Sequence, residues 1–207
     1  MKTHLACLLV AIATLVLPDL AHACGDGAVQ FADDFKTPDP GWLRNDYSTV
    51  DSGVITLRPT ANRYYNEYNP SYIFGDADVC AQIKLNDFTK PEQLSGGLSF
   101  WITDSNSYYA FTIRPTGGWM IQRLVGSRWI IINTGSSDAI KKGAGDVNEV
   151  EVRLSGKTGS AYVNGTKVAS FNGQPPDGGG FFGVSGGSES ERTNIWEFHD
   201  FKILKLP

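Results

Sequence analysis

The residues best suited to chemistry on a ligand lie in the stretch from Gly97 to Asn133. Aromatic rings pack against the C–H faces of sugars and guanidinium groups supply planar hydrogen-bond donors, so both suit a glycan-binding sheet face. Trp and Tyr are also ordinary core residues of a β-sandwich, so each ring is either a ligand contact or a core side chain. The stretch contains one acidic residue, Asp104, which favours holding a ligand over cleaving it. The candidate carbohydrate-binding residues are Trp101, Tyr108, Arg114, Trp119, Arg123 and Trp129.

Short strands must position these residues. The stretch consists of apolar and aromatic runs separated by breaks of Asp, Asn, Ser, Pro and Gly, which are turn-forming residues. The breaks are too short for a helix, so the pattern predicts an antiparallel meander with strands at 98–103, 108–114, 119–125 and 128–133. The turn at 115–118 leaves the register of Arg114 open. Alternation in the first run places Leu98, Phe100 and Ile102 on one face and Ser99, Trp101 and Thr103 on the other.

The rest of the chain also predicts short strands. Residues 79–85 and 148–155 alternate between apolar and polar side chains, whereas the polar, tyrosine-rich residues 58–69 predict a loop. Asn164-Gly165 predicts a type I′ hairpin turn, which explains these residues better than the glycosylation sequon that they form with Thr166. No window shows a sustained helical period. The sequence therefore predicts an all-β protein, a two-sheet antiparallel β-sandwich.

The N-terminus has the pattern of a secretory signal peptide. Lys2 precedes an apolar run that ends at Leu17, and Ala21-His22-Ala23 is a small-x-small cleavage site. The run is shorter than the roughly 20 residues that span a bilayer, and no later segment is long and apolar enough to do so. We therefore expect a signal peptide at residues 1–23, a single domain at 24–207, and export to the periplasm or the extracellular space.

The two cysteines outside the predicted signal peptide are Cys24 and Cys80. In an exported chain they most simply form a disulfide, which would tie the new N-terminus to the strand around Cys80. The alternative is that Cys24 is the lipidated first residue of a lipoprotein. A lipobox usually has Leu three positions before the cysteine and a small residue two before, whereas this chain has Ala21 and His22, so the disulfide is favoured.

Charge and ligand chemistry exclude several partners. The formal net charge is −4 without a basic block, which argues against nucleic acid and anionic membranes. The glycine clusters lack the ending of a phosphate loop, and no cofactor is predicted. The chain has no His pair or close Cys pair, so no metal site is predicted. Asp33, Asp34 and Asp200 could converge on a structural calcium ion, but strand-end caps and turn formers are the preferred interpretation.

Two patterns resemble hydrolytic machinery without its context. Glu149 and Glu151 share one face of a strand about 7 Å apart, and Arg153 continues that face. Acids and a base spaced in this way are typical of a solvated sheet surface, which we favour over catalysis. Residues 183–187 match G-x-S-x-G, but that motif needs a strand-to-helix turn that is not predicted, and His199 would be the sole base outside the signal peptide.

Several segments in order resemble a known family. They are FADDF followed by Gly-Trp, YYAFTIRPTGGWMIQRLVGSRW, VNEVEVRLSGKTGSAYVNGTKVASF, GGFFGVSGG and WEFHDFKI. Together they resemble the laminin-G-like jelly rolls of the concanavalin A-like lectin/glucanase superfamily, in particular single-domain forms of bacterial exported proteins. The resemblance implies a jelly roll, and the superfamily includes lectins, glycan hydrolases and adhesion modules. Its glucanases carry a Glu-x-Asp-x-x-Glu strand, which this sequence lacks.

The expected function is therefore non-catalytic binding of a carbohydrate or a cell-surface glycan partner, through the sheet face that carries Trp101 and Arg114. One alternative is an enzyme of the same fold, a glycoside hydrolase or a relative that cleaves keto-disaccharides. It would require two carboxyl groups in a cleft. Another alternative is a structural or interaction domain of the bacterial envelope.

Overall fold

The computed structural model describes residues 24–42 and 45–206, so the predicted signal peptide lies outside the described residues. This part of the chain is almost entirely β-structure, with one turn of 3-10 helix at Pro91–Gln93, and none of its helices could cross a membrane. The strands are β1 (Val29–Asp33), β2 (Ser48–Asp51), β3 (Val54–Leu57), β4 (Tyr64–Phe74), β5 (Ala77–Leu85), β6 (Gly96–Asp104), β7 (Ser107–Ile113), β8 (Gly118–Val125), β9 (Arg128–Ser136), β10 (Val147–Ser155), β11 (Thr158–Val163), β12 (Thr166–Asn172), β13 (Gly180–Gly187) and β14 (Trp196–Leu204).

The strands form two antiparallel sheets. The eight-stranded sheet has the order β12-β11-β10-β5-β14-β3-β2, with β1 also paired to β14. The six-stranded sheet has the order β4-β13-β6-β7-β8-β9, and its last four strands are the meander that the sequence predicts. The two sheets pack face to face, which confirms the predicted two-sheet sandwich.

Alternating side chains build the core between the sheets. Val150, Val152 and Leu154 of β10 point inward and are fully buried, as predicted. Their partners on β5 include Ala81 and Val79, which are also buried. These two strands therefore contribute every second side chain to one shared core, and this burial of apolar area is the main favourable term in folding.

The predicted alternation in β6 is wrong after Phe100. Trp101 adopts a positive φ of 49°, and the register of β6 with both of its neighbours shifts at this point, which is a β-bulge. The bulge turns the Trp101 ring into the main core, against Phe171, instead of placing it on the face of Ser99. Ile102 takes a place on the opposite face.

The prediction of a loop at 58–69 is also wrong, because β4 begins at Tyr64. Its side chains alternate between Tyr and Asn on one face, and β13 supplies backbone hydrogen-bond partners along most of its length. An edge strand with one polar face carries little apolar signal, and Pro70 is tolerated because the strand has a neighbour on one side. Polarity was therefore a poor guide to this segment.

The predicted disulfide and hairpin are both present. Cys24 is bonded to Cys80, so its sulfur is not available for lipidation. Asn164 and Gly165 have φ values of 48° and 76°, as a type I′ turn requires. The Asn164 amide donates to the Ala139 carbonyl and to the Asn148 side chain, and it accepts from the Glu149 N–H. These hydrogen bonds give the Asn164 side chain a structural role.

Gly180→Ala is expected to destabilise the protein by about 1–3 kcal/mol, because the core bulge leaves no room for a methyl group. A Cβ at residue 180 would lie 2.7 Å from the Trp101 Cα, a backbone atom that cannot rotate away. Gly75→Ala is the matched control, since nothing lies within 4 Å of its new Cβ, and a change of less than about 0.5 kcal/mol is expected. Urea denaturation of both variants measures the difference, and equal effects would contradict the tight packing at the bulge.

Candidate functional site

The outer face of the six-stranded sheet curves into a concave surface. Tyr64 and Trp129 lie on opposite edge strands, β4 and β9, yet their ring centroids are only 5.5 Å apart. The Tyr108 ring meets the same indole at 5.6 Å, again edge to face. The sheet must therefore bend so that its edges approach each other. We call this surface the concave face; its side chains include Tyr64, Asn66, Tyr68, Ser99, Tyr108, Thr112, Gln122, Trp129 and Ser185.

Small residues form the floor of the concave face. Ser185 lies opposite Gly97, which in turn lies opposite Thr112 in β7. In the next row, Gly183 lies opposite Ser99, which pairs with Ala110. The side chains of directly opposed residues share one face of a sheet. Because these side chains are small, the rows lie lower than their surroundings, and we call them the trough. Larger side chains of β4, β8 and β9 form its walls.

The floor carries hydrogen-bonding groups that have no partner in the described chain. Ser99 and Thr112 are fully buried, and neither hydroxyl is hydrogen-bonded. The side-chain nitrogen of Asn66 is also buried without a partner. A buried polar group without a partner typically destabilises a protein by about 1–3 kcal/mol, so several on one face are an unfavourable feature that the fold alone does not explain.

The concave face is uncharged along the trough. Tyr64 Oη and Ser185 Oγ share a hydrogen bond of 2.6 Å, and burial raises the pKa of both the Tyr64 and the Tyr108 phenol, which keeps them neutral. None of the trough residues named above carries a charge. Asp104, in the described strand β6, is charged, but it is exposed at the β6–β7 turn. The trough therefore offers neutral donors and acceptors beneath aromatic rings.

An open cleft of about 330 Å³ adjoins the concave face at one end of the sandwich. The Arg123 guanidinium lies 5.2 Å from the Tyr109 ring centroid and donates to the Gln174 side-chain oxygen. The Gln174 backbone N–H donates in turn to Tyr109 Oη at 2.9 Å. Tyr108 belongs to both the cleft and the concave face, and the Trp101 ring forms part of the cleft wall. We call this feature the end cleft.

Solved structures resemble the fold of this chain, although no family model and no curated protein matches the sequence. The carbohydrate-binding module CBM66 from Bacillus subtilis is 14% identical with a TM-score of 0.65, over 80% of this chain and 96% of that chain. LamAcat from Zobellia galactanivorans is 12% identical with a TM-score of 0.57, over 86% of this chain and 98% of that chain. The chain has the concanavalin A-like jelly-roll fold. A third structure, the GH43 protein BlXynB from Bacillus licheniformis, is 11% identical with a TM-score of 0.62, over 84% of this chain and 39% of that chain.

The jelly roll brings together four of the six predicted binding residues. Trp101, Tyr108 and Arg123 line the end cleft, and Trp129 contacts Tyr108 on the concave face. Arg114 and Trp119 are not part of this group. Arg114 lies at the other end of the sheet beside Lys141, and the Trp119 ring is buried against Gly135. The predicted face with Trp101 and Arg114 together therefore does not exist, because the bulge and the hairpin turn direct them to different places.

The sequence prediction missed most of the trough of the jelly roll. The sequence predicts a loop for Tyr64, Asn66 and Tyr68, although their spacing of two residues is the signal of a strand face. Ser99 and Thr112 are small hydroxyl residues whose spacing alone carries no functional signal. Ser185, from the G-x-S-x-G match, lies within β13 and bonds to Tyr64, which explains it as a structural residue.

The acidic candidates lie elsewhere and have structural roles. Asp33 accepts hydrogen bonds from the N–H groups of Phe35 and Asp39, and no cluster in the described residues could hold a metal ion. The interpretation of residues 149–153 as a solvated surface is wrong for Glu151, which is buried on the outer face of the eight-stranded sheet. Glu151 is covered because it contacts Asp78 and the Arg153 guanidinium.

Because Glu67 is buried in the jelly roll, we expect the protein to become less stable as pH rises. Its carboxylate accepts from Ser48 Oγ and from Asn45 Nδ2 at 3.0 Å, and burial raises its pKa from 4.5 to about 7. Between these two pH values the folded state binds more protons than the unfolded state, so the free energy of unfolding decreases as pH rises. Urea titrations at pH 5 and pH 8 should show a smaller decrease for Glu67→Gln than for the wild type. Glu92→Gln, at an exposed site, should behave as the wild type does, and an unchanged decrease in Glu67→Gln would contradict the assignment.

Proposed function

We propose that this protein binds a neutral carbohydrate on the concave face, with the end cleft extending the same site. The similar structures include a carbohydrate-binding module and proteins named as glycoside hydrolases, which supports a ligand of this class. The concave face supplies the two features that recognise sugars, namely aromatic rings for C–H faces and neutral groups for hydroxyls.

The observation that carries the proposal is the set of unpartnered polar groups in the floor of the trough. Ser99, Thr112 and Asn66 each present a hydrogen-bonding atom with no partner in the described chain. Hydroxyl groups both donate and accept, so a sugar could complete all three. An ionic ligand would find no opposite charge on this floor and would lose its hydration, so we infer a neutral ligand.

Ligand entry requires the aromatic rings over the floor to separate. Trp129 is the ring best placed to move, because β9 has one neighbouring strand and the side chain is 37% exposed. Its contacts with Tyr64 and Tyr108 are edge to face, which are worth about 0.5–1.5 kcal/mol each. Stacking of a sugar against the displaced indole would replace these contacts.

Binding is supported over hydrolysis by the positions of the acids. Glycoside hydrolysis needs two carboxyl groups about 5–9.5 Å apart across the scissile bond. The trough strands contribute no such pair among the described residues, and the contacting acids Asp78 and Glu151 lie on the other sheet. We therefore propose a non-catalytic role. If no glycan binds, the alternative is that the protein is a structural domain of the envelope without a ligand.

We also propose that the protein is exported after cleavage following Ala23. The Cys24–Cys80 disulfide supports this, because disulfides persist in oxidising compartments. Cleavage at this position would place the disulfide at the first residue of the mature chain.

Thr112→Val is expected to weaken carbohydrate binding by about tenfold without loss of stability. The substitution keeps the side-chain shape and removes a buried hydroxyl that has no partner, so the unfolding free energy should be unchanged or higher. Loss of one hydrogen bond to the sugar is worth roughly 1 kcal/mol or more. Isothermal titration against neutral β-glucan and xylan fragments, with polygalacturonate as the charged comparison, measures binding. Thr56→Val, on the other sheet, is the control. Equal affinity of Thr112→Val and wild type would exclude the trough as the site.

Trp129→Ala is expected to weaken binding of the same glycans by roughly tenfold, because the indole supplies the stacking surface. Ile130→Ala is a closely matched control, since Ile130 is the next residue in β9, is 38% exposed and points to the other face of the sheet. Affinity gel electrophoresis of the two variants tests the difference. Tighter binding by Trp129→Ala would show that the ring acts only as a cover.

A further inference from the structure

The outer face of the eight-stranded sheet contains a buried acid pair. Asp78 is fully buried and Glu151 is 1% exposed, although both belong to the side of the sheet that faces away from the core. The two carboxyl groups interact closely enough to raise the pKa of Glu151, and Arg153 forms ion pairs with both of them. Their burial is not explained by the sandwich core, so something on the outer face must cover them.

The N-terminal segment Cys24–Gly27 covers Asp78, and Asp78 and Arg153 in turn cover Glu151. A Cβ added to Gly25 would lie 2.3 Å from Asp78 Oδ2, so the backbone of the segment runs directly over the acid. The disulfide to Cys80 fixes the first residue of the segment, two residues along β5 from Asp78. At the other end, the Lys205 N–H donates to the Ala28 carbonyl. Between these two anchors the segment has no regular structure.

We propose that the N-terminal segment is a latch over the acid pair, held by the Cys24–Cys80 disulfide, and that a dithiol reductant opens it more readily as pH rises. The geometric basis is that the disulfide, the segment and the two carboxyl groups lie next to one another. Opening the segment would expose the acids to water, and closing it removes them from water.

Proton linkage couples the latch to pH. In the closed state, desolvation raises the pKa of both Asp78 and Glu151, so the pair holds a proton at neutral pH. In water the pair would ionise in the ordinary carboxyl range, so opening releases about one proton. An equilibrium that releases one proton shifts by at most about tenfold per pH unit. High pH therefore favours the open state.

Other charged and titratable groups share this face, and Asp200 lines a cavity there with Cys24, Glu149 and Lys202. Lys84, Glu197 and His199 lie further along the same face. Arg153 is the one cation in contact with both acids and lies over the Tyr162 ring. Lys202 of β14 is opposite Cys80, and Glu149 is the next acid along β10. Asp26 lies within the segment itself. Because Arg153 belongs to β10 and not to the segment, we expect the change in solvation of the acids to dominate the pH dependence.

The reductive step is an ordinary thiol–disulfide exchange. A dithiol attacks the Cys24–Cys80 bond through a mixed disulfide, and its second thiol completes the exchange. The S–S bond of the protein breaks, two thiols form on the cysteines, and the dithiol is oxidised to a cyclic disulfide. Below about pH 8 all thiols stay mainly protonated, so the exchange itself neither takes up nor releases protons. A pH dependence must then come from the protein.

The test measures the equilibrium between reduced and oxidised protein in a dithiothreitol redox buffer from about pH 5 to about pH 8. Thiol alkylation and mass spectrometry measure the reduced fraction, which gives the equilibrium constant for reduction of the disulfide. We expect this constant to rise about threefold to tenfold per pH unit. Glu151→Gln should make the equilibrium constant less dependent on pH, and so should Asp78→Asn. Two independent variants are used so that misfolding of one of them does not decide the test. Glu149→Gln is the matched control and should keep the slope.

Hydrogen exchange provides the second measurement. The amides of Gly25 to Gly27 should exchange faster in the reduced wild type than in the oxidised protein, whereas those of β10 should not change. A slope near zero in the wild type, or the same slope in Glu151→Gln, would overturn the proposal. Unchanged exchange of the segment on reduction would overturn it as well, because the disulfide would then not hold the latch.

Discussion

The bulge at Trp101 is the constraint on which both faces of the six-stranded sheet depend. A regular β6 would put a large indole on the concave face and Ile102 in the core. The bulge reverses them, so that the indole packs against Phe100, Tyr109 and Phe171, and its ring leaves no space for a side chain at residue 173. A positive φ at a tryptophan is uncommon and unfavourable, so the surrounding packing must stabilise it. In return the concave face keeps small residues at its centre, and one wall of the end cleft is formed.

Much of the fold could be predicted because it rests on local patterns. The strands β5 and β10 have apolar side chains at every second position, and the Asn164-Gly165 turn needs residues that tolerate positive φ. Strand β4 could not be predicted in the same way. It lies at a sheet edge with polar side chains on its outer face and the buried, polar Glu67 on its inner face, so neither face carries an apolar signal.

The candidate site could be predicted only in part, because its geometry depends on contacts between distant segments. The approach of Tyr64 to Trp129 results from the curvature of the whole sheet, and no spacing in the sequence encodes it. The bulge at Trp101 depends on its register with two neighbouring strands at once. The cover over Asp78 is a segment anchored by a disulfide between cysteines that are 56 residues apart. Residue types therefore pointed to the correct meander, but the faces and partners required three-dimensional contacts.

The two outer faces of this jelly roll bury polar groups by different physical means. On the concave face the unpartnered groups are neutral hydroxyls and an amide, whose desolvation is of the order of 1–3 kcal/mol each, so a sandwich can tolerate them while the site is unoccupied. A charge in the same place would be far more unfavourable. On the opposite face two acids are buried, and this is possible because a proton and Arg153 neutralise them. Exposing the neutral face to water therefore involves no change of charge, whereas exposing the acid pair to water near neutral pH would release a proton.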